Sequence, residues 1–257
     1  MDRPTFKTAG DGLDFRIHVQ HFARYVLEDP YKEFLKILVE TAKGRTDTIP
    51  TGTVYYRARN DFETRKVGVR KKQYPLRKEK MRMPLADLAE EGRINPFGIP
   101  ALYLAEDERT AIAEARPLLR ELVTVAEAKL LSEIRVVNAI QPDRAVCSPF
   151  KEEATDAEKE SRVWYDVDNI FSDPVNRQNG KTVYFAAQYL AEIFKANKWD
   201  GIKYRSSMRE DGISVALFSP RSIEFKNLKL VRVSKVNYEY QLHQNDYRPS
   251  KRKRSVF

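Results

Sequence analysis

Apolar positions recur at helical spacing near the start of the chain. Phe15 to Glu28 reads as a helix. Asp29-Pro30 supplies an N-cap and a first helical residue for a second helix, whose stripe runs through Tyr31, Phe34, Leu35, Leu38 and Val39 to a stop at Gly44. The dozen residues before this pair read as disordered, and Thr46 to Gly52 as a linker. Thr53 to Arg59 (TVYYRAR) alternates as a strand does, which puts Arg57 and Arg59 on one face with Tyr55. Residues 65–82 show no periodicity and read as a loop or lid, with a short helix after them over Leu85 to Glu91.

Gly92 to Pro117 (GRINPFGIPALYLAEDERTAIAEARP) is the most informative segment. A turn rich in Gly and Pro enters a short apolar strand, Ala101 to Ala105, and a helix follows at once that places Glu114 among alanines. Downstream, Glu121 to Ala126 and Glu133 to Ala139 read as paired strands. Ala154 to Phe171 and Val183 to Asn197 read as helices. Ile202 to Ser206, Ile213 to Phe218 and Phe225 to Val236 read as strands. Short strands with helices interspersed irregularly predict an α+β fold on a mixed, mostly antiparallel sheet, with an N-terminal helical extension.

Charge narrows the partners. The formal net charge of +9 favours an anionic ligand or surface. It is concentrated: between Arg65 and Arg82 there are nine Lys or Arg and one acid, Glu79, and Lys251 to Arg254 form a basic tail. Tyr74 is the only aromatic in the first of these stretches, so platforms for stacking bases are not evident. One cysteine, Cys147, and three histidines exclude a cysteine-rich metal site, and no metal is expected. The single cysteine fits a reducing compartment. With no apolar leader and no membrane-length apolar run, the expectation is a soluble cytoplasmic protein that does not engage a membrane. There is no G-x-G-x-x-G turn, Walker loop or H-E-x-x-H motif.

Three positions carry candidate chemistry. Arg57 on its strand offers a guanidinium fork to a phosphate, or merely solubilises the strand. Glu114 can hold a ribose hydroxyl or face a developing cation, or pair with Arg109 or Arg116. Ser206, at the end of a strand in Tyr204-Arg205-Ser206-Ser207, can bond a substrate, cap a helix or lie idle in a loop. Arg16 and His21 also form an Arg-x4-His pair that resembles the motif of HEPN ribonucleases.

Taken in order, YRAR (56–59), GRINPFGIPALYLA (92–105), TAIAEARP (110–117), DGIKYRSS (200–207) and VALF (215–218) resemble the RES family, named for an Arg, a Glu and a Ser. The likeness runs from about Gly52 to Val236. It implies a fold like that of ADP-ribosyltransferases and a division into an extension (1–50), a RES domain (51–236) and a basic tail (237–257). It also implies a toxin of a bacterial toxin–antitoxin pair that consumes NAD⁺ by phosphorolysis or hydrolysis, with protein ADP-ribosylation as another outcome. NAD would be the substrate, phosphate a possible co-substrate, and no bound cofactor is expected. The partner would be a DNA-binding antitoxin of the Xre type, so that nucleic acid is reached at most through the antitoxin, and an oligomer is expected.

Carried over, Arg57, Glu114 and Ser206 are the catalytic set. Arg59, Arg93, Asn95, Tyr103 and Ser207 are the substrate-binding set. The chain departs from short members in having Ile94 where they often have Trp. They also carry a Tyr in the interval filled here by the basic stretch, where Tyr74 is the candidate. A different class of function, a basic nucleic-acid-binding or ribonuclease protein built on residues 65–82, Arg16 and His21, remains as the alternative.

Overall fold

A chain with two helical stripes and a set of short strands must cover the apolar faces of both, and here they cover each other. The computed structural model describes residues 4–143, 146–175, 180–219, 223–237 and 239. The elements are α1 (Asp11–His21), α2 (Asp29–Lys43), β1 (Thr46–Ile49), β2 (Val54–Arg59), β3 (Glu63–Val67), β4 (Arg70–Tyr74) and α3 (Lys78–Met81). A 3-10 turn at Ala86–Leu88 precedes β5 (Leu102–Ala105), α4 (Glu108–Glu114), β6 (Leu122–Leu130), β7 (Ile134–Asn138) and α5 (Asp156–Ser172). A second such turn at Gly180–Val183 leads into α6 (Tyr184–Ala196), β8 (Gly201–Arg205), β9 (Ile213–Leu217) and β10 (Ile223–Arg232).

Eight strands share one sheet in the order β1-β7-β8-β9-β5-β2-β6-β10. Every neighbouring pair is antiparallel except β7 with β8. This is the α+β architecture expected from the sequence. One face of the sheet packs under α1, α2, α5 and α6 in a core that includes Phe15, Phe34, Leu35, Leu38, Trp164, Phe171, Phe194 and Tyr204. Phe15 stacks on Phe34 with ring centroids 5.0 Å apart, and Trp164 donates its indole N–H to Thr41 Oγ1 at 3.2 Å. Burying each such side chain contributes about 1.5–3 kcal/mol. The opposite face carries a second core of Tyr55, Leu102, Leu104, Val215 and Phe225, covered by Leu76 and Met81.

The sheet is continuous but narrow at one point. β2 pairs with β6 over six residues, Val54 with Lys129 through Arg59 with Thr124. Against β5 it makes a single pair, Tyr56 with Ala105. β5 in turn pairs with β9 from Leu102–Leu217 to Ala105–Ser214. The two halves of the sheet therefore part on either side of one junction, and a cleft opens there.

Several sequence expectations change. Residues 4–12 are not all loose, because Phe6 is buried 5.7 Å from the ring of Phe34. The first helix ends at His21 rather than Glu28. The stretch read as a linker contains the edge strand β1, which pairs with β7; with Ile49 its only buried residue, it had no run of apolar positions to show. The strands read as a pair, β6 and β7, do not pair: β6 lies between β2 and β10, and β7 between β1 and β8. The helix expected over Leu85 to Glu91 is one 3-10 turn. Residues 63–74 form a hairpin whose sides are both solvated, so no hydrophobic alternation marked it. Gly68, at φ +62°, supplies the left-handed residue of its two-residue turn. The basic tail, Lys251 to Arg254, lies outside the described residues.

One hydroxyl closes the root of this hairpin. Thr124 Oγ1, on β6, donates to the Asp61 carbonyl at 2.7 Å and accepts the Leu76 N–H at 3.0 Å. Thr124→Val keeps the shape and strips both bonds, leaving a buried N–H without a partner. The expected loss is about 1–3 kcal/mol of unfolding free energy, measured by urea titration. An unchanged midpoint would show that the hairpin root does not depend on this contact.

Candidate functional site

The cleft beside the Tyr56–Ala105 junction has a volume of about 330 Å³. That is within the range of about 300–1,000 Å³ typical of small-molecule sites. Its floor follows from strand register. Tyr204 lies opposite Ser214, Ser214 opposite Ala105, and Ala105 opposite Tyr56, so one row of side chains crosses four strands on the helix-covered face. Tyr103 shares that face by alternation. Gly92, Arg93, Tyr184, Ala111, Glu114 and Arg116 also line it, along with Arg57.

Glu114 closes α4, where it gains nothing from the helix dipole. Other contacts fix it. Asp107 caps the start of the helix, accepting the Thr110 N–H at 2.9 Å, and Asn60 Nδ2 donates to the Ala115 carbonyl at 2.5 Å just past its end. The hydroxyl of Ser206 donates to Glu114 Oε1. Ser206 is itself buried and held twice: its N–H donates to the Gly212 carbonyl at 2.7 Å, and its Oγ accepts the Met208 N–H at 3.1 Å. The Ser therefore positions the carboxylate rather than lining the cleft.

Arg57 faces the opposite situation. Its Nη1 is shut off from solvent and has no hydrogen-bond partner. Burial, with some help from neighbouring Arg59, pushes the guanidinium down to about 10. Arg57 is half-buried, but a shielded guanidinium nitrogen without a partner is costly, and a bound anion is what would complete it. Arg93, by contrast, is buried as a whole. It spends Nη1 on the Asp173 carbonyl at 2.7 Å and lies 5.5 Å from the Tyr184 ring centroid. The Asp173 carboxylate pairs with Arg16 of α1 at 2.8 Å, so the N-terminal helix reaches the site through this residue. Three arginines against one carboxylate make the lining net positive, which suits an anionic ligand. Burial raises the phenols of Tyr103 and Tyr204 well above their usual range, so both stay protonated donors.

The other expected residues divide. Tyr103 lines the cleft, but its hydroxyl donates to Asn95 Oδ1 at 2.6 Å and accepts the Ile94 N–H at 3.1 Å. Asn95 is spent inside the turn, with Nδ2 donating to the Glu90 and Ile99 carbonyls at 2.9 and 2.8 Å, and it does not line the cleft. Arg59 turns away and donates to the Lys80 carbonyl at 2.9 Å. Ser207 lies outside the lining, its Oγ buried without a partner. Tyr74 sits on the hairpin under Arg65, 5.0 Å from the guanidinium, and the hairpin contributes nothing to the lining. Ile94 is a core residue. Arg16 is engaged with Asp173 while His21 is exposed, so the Arg-x4-His pair forms no site of its own.

Sequence reasoning missed Tyr56, Tyr184, Tyr204 and Arg116 as lining, and Gln188 as support. Gln188 Nε2 donates to the carbonyls of Gly92 at 2.9 Å and Asn95 at 3.2 Å, which holds the turn against α6. A lone Gln on the apolar stripe of that helix was the available signal. Among the described residues, no three His, Cys, Asp or Glu side chains gather as metal ligands, and no helix is long and apolar enough to cross a membrane.

Comparison with known proteins identifies a family and solved structures of similar fold. The family model described as the RES domain matches residues 67–241, more than half of the chain. That range contains Glu114 and Ser206 and begins after Arg57, whose assignment rests on its place in the cleft. A search of curated proteins finds no match. Among solved structures, a chain from the crystal structure of the M. tuberculosis MbcT–MbcA toxin–antitoxin complex is similar at 14% identity, covering 77% of this chain and 92% of that one with a TM-score of 0.44.

The approach of Gly212 to Ser206 is a sharp test of how the carboxylate is held. A Cβ on Gly212 would lie 2.8 Å from Ser206 Cβ and 2.9 Å from Thr110 Cγ2. Gly212→Ala must therefore displace Ser206 or Thr110, both of which support Glu114 or its helix. The expected cost is about 1–3 kcal/mol in chemical denaturation. A variant as stable as the parent would show that this loop yields freely and does not fix the Ser.

Proposed function

The chain belongs to the RES-domain family, and on that premise we propose that its cleft cleaves the nicotinamide–ribose bond of NAD⁺. The observation that carries this reading is the pairing of a desolvated, unpartnered Arg57 with a carboxylate, Glu114, fixed by the Ser206 hydroxyl in the same aromatic-walled cleft. Arg57 grips the diphosphate, whose charge supplies what the guanidinium lacks. Tyr56, Tyr103, Tyr184 and Tyr204 offer flat apolar walls to the rings of the substrate.

The chemistry asks little of proton transfer. The C1′–N bond breaks with its electron pair going to nicotinamide, which leaves neutral, so no strong general acid is needed. The ribose is left as an oxocarbenium-like cation. Glu114, facing it across the cleft, stabilises that charge and orients the ribose hydroxyls. Ser206 acts on Glu114 as a positioning residue, holding one carboxylate oxygen so that the other stays aimed. The acceptor then bonds to C1′. Arg93 and Arg116 line the cleft and suit an incoming phosphate dianion; with water as acceptor, the same step loses one proton to solvent. The setting we propose is that of a bacterial toxin held in check by a protein antitoxin, as the family likeness implies.

Purified protein mixed with NAD⁺, with and without inorganic phosphate, is expected to release nicotinamide, and faster when phosphate is present. Equal rates in the two arms would make water the acceptor. Label carried into protein would mark ADP-ribosylation instead. Unchanged NAD⁺ in both arms would overturn the reading. Glu114→Gln preserves size and can still accept from Ser206, so its melting temperature should stay within a few degrees of the parent. Its rate of NAD⁺ loss should fall by about 10²–10³. A variant that works at the parental rate would remove Glu114 from the chemistry.

A further inference from the structure

The β3–β4 hairpin is a separate two-stranded sheet that leaves the body between Arg57 and the Gly92 turn. Residues 65–73 are exposed throughout, and Val69 at the tip is fully so. The hairpin carries Arg65, Lys66, Arg70, Lys71 and Lys72 against one acid, Glu63. That acid is already occupied, by Arg65 at 2.8 Å and by Arg77 at 3.3 Å.

The cations are arranged against the hairpin's own stability. Arg65 sits directly opposite Lys72, and Lys66 directly opposite Lys71. Like charges paired across strands are destabilising, and a lone two-stranded ribbon is marginal in water to begin with. What holds it is its root, pinned by Thr124 and by Leu76 and Met81 in the second core. A ribbon of this kind, rigid at its base and self-repelling along its length, gains most from an anion that surrounds it.

The distribution over two faces selects that anion. By alternation Arg65, Arg70 and Lys72 point to one side, and Lys66 and Lys71 to the other. A flat acidic protein surface would meet one side and leave the other bare. A groove walled by phosphates meets both. The major groove of B-form DNA, about 12 Å wide, admits a two-stranded ribbon, whereas the A-form major groove of RNA is too deep and narrow. Single strands are disfavoured because the one aromatic, Tyr74, lies under Arg65.

We propose that the β3–β4 ribbon is a docking arm for duplex DNA, bound in the major groove through phosphate contacts without sequence preference. This departs from the expectation that nucleic acid is reached only through a partner protein, and the hairpin geometry is the reason. It is independent of the NAD⁺ reading.

The test is fluorescence anisotropy of the full chain with a labelled 30-base-pair duplex of arbitrary sequence, as salt is varied. With Arg65 paired to Glu63, four phosphate contacts, from Lys66, Arg70, Lys71 and Lys72, predict a log–log salt slope of about −3.6, or roughly 150-fold weaker binding at 200 mM than at 50 mM salt. The triple variant Arg70→Glu, Lys71→Glu, Lys72→Glu should not bind at 50 mM. Two of its reversals convert like-charge pairs into opposite ones, facing Lys66 and Arg65, so its melting temperature should match or exceed the parent's. Three results would each overturn the proposal. They are no binding by the parent at 50 mM salt, equal binding by parent and variant, and binding of polyglutamate as tightly as the duplex.

Discussion

A single residue pair, Tyr56 with Ala105, joins the two halves of the eight-stranded sheet. Sheets gain stability from continuous pairing, so a junction this short has a cost, and long ladders on either side carry it. β2 leans on β6, and β5 on β9. The gap that results leaves Arg57 Nη1 shielded from solvent without a partner. Were β2 and β5 zipped along their length, backbone would fill the space that now receives a ligand.

Both walls of the gap are held from a distance. Glu114 is aimed by a serine 92 residues further along the chain. Arg93 is tied to Asp173, and through it to Arg16 in the first helix. The N-terminal helices thus belong to the same packed body as the cleft: Phe15 and Phe34 share a core with Tyr204, whose ring lies in the cleft floor. Rigid support of this kind keeps a carboxylate and a guanidinium in register without either touching the other.

Much of this was legible in the sequence, for physical reasons. Long amphipathic stripes such as that of α2 announce themselves, as do apolar strands such as β5 and β9. Arg57, Arg93, Tyr103 and Glu114 were all named from the sequence and all line the cleft. What stayed hidden depended on pairing between distant segments. β1 has too few apolar residues to signal a strand, and the solvated hairpin has no apolar face at all. The neighbours of β6 are set by topology, not by local pattern. Asn95 illustrates the limit at the site: a polar side chain in a turn looks the same on paper whether it reaches outward or, as here, folds back on three carbonyls of its own loop.

Strand order also decides when the protein becomes competent. β8 and β9 lie between β7 and β5 in the sheet, yet they are made after both. Ser206 follows Glu114 by 92 residues. Ribosomes add about 5–20 residues per second, so about 5–20 s pass between the two. Through that interval the nascent chain carries Arg57 and Glu114 without the serine that holds the carboxylate or the two strands that supply Tyr204 and Ser214 to the cleft floor. The cleft is therefore assembled only after β9 has been made, late in the synthesis of the sheet that holds it.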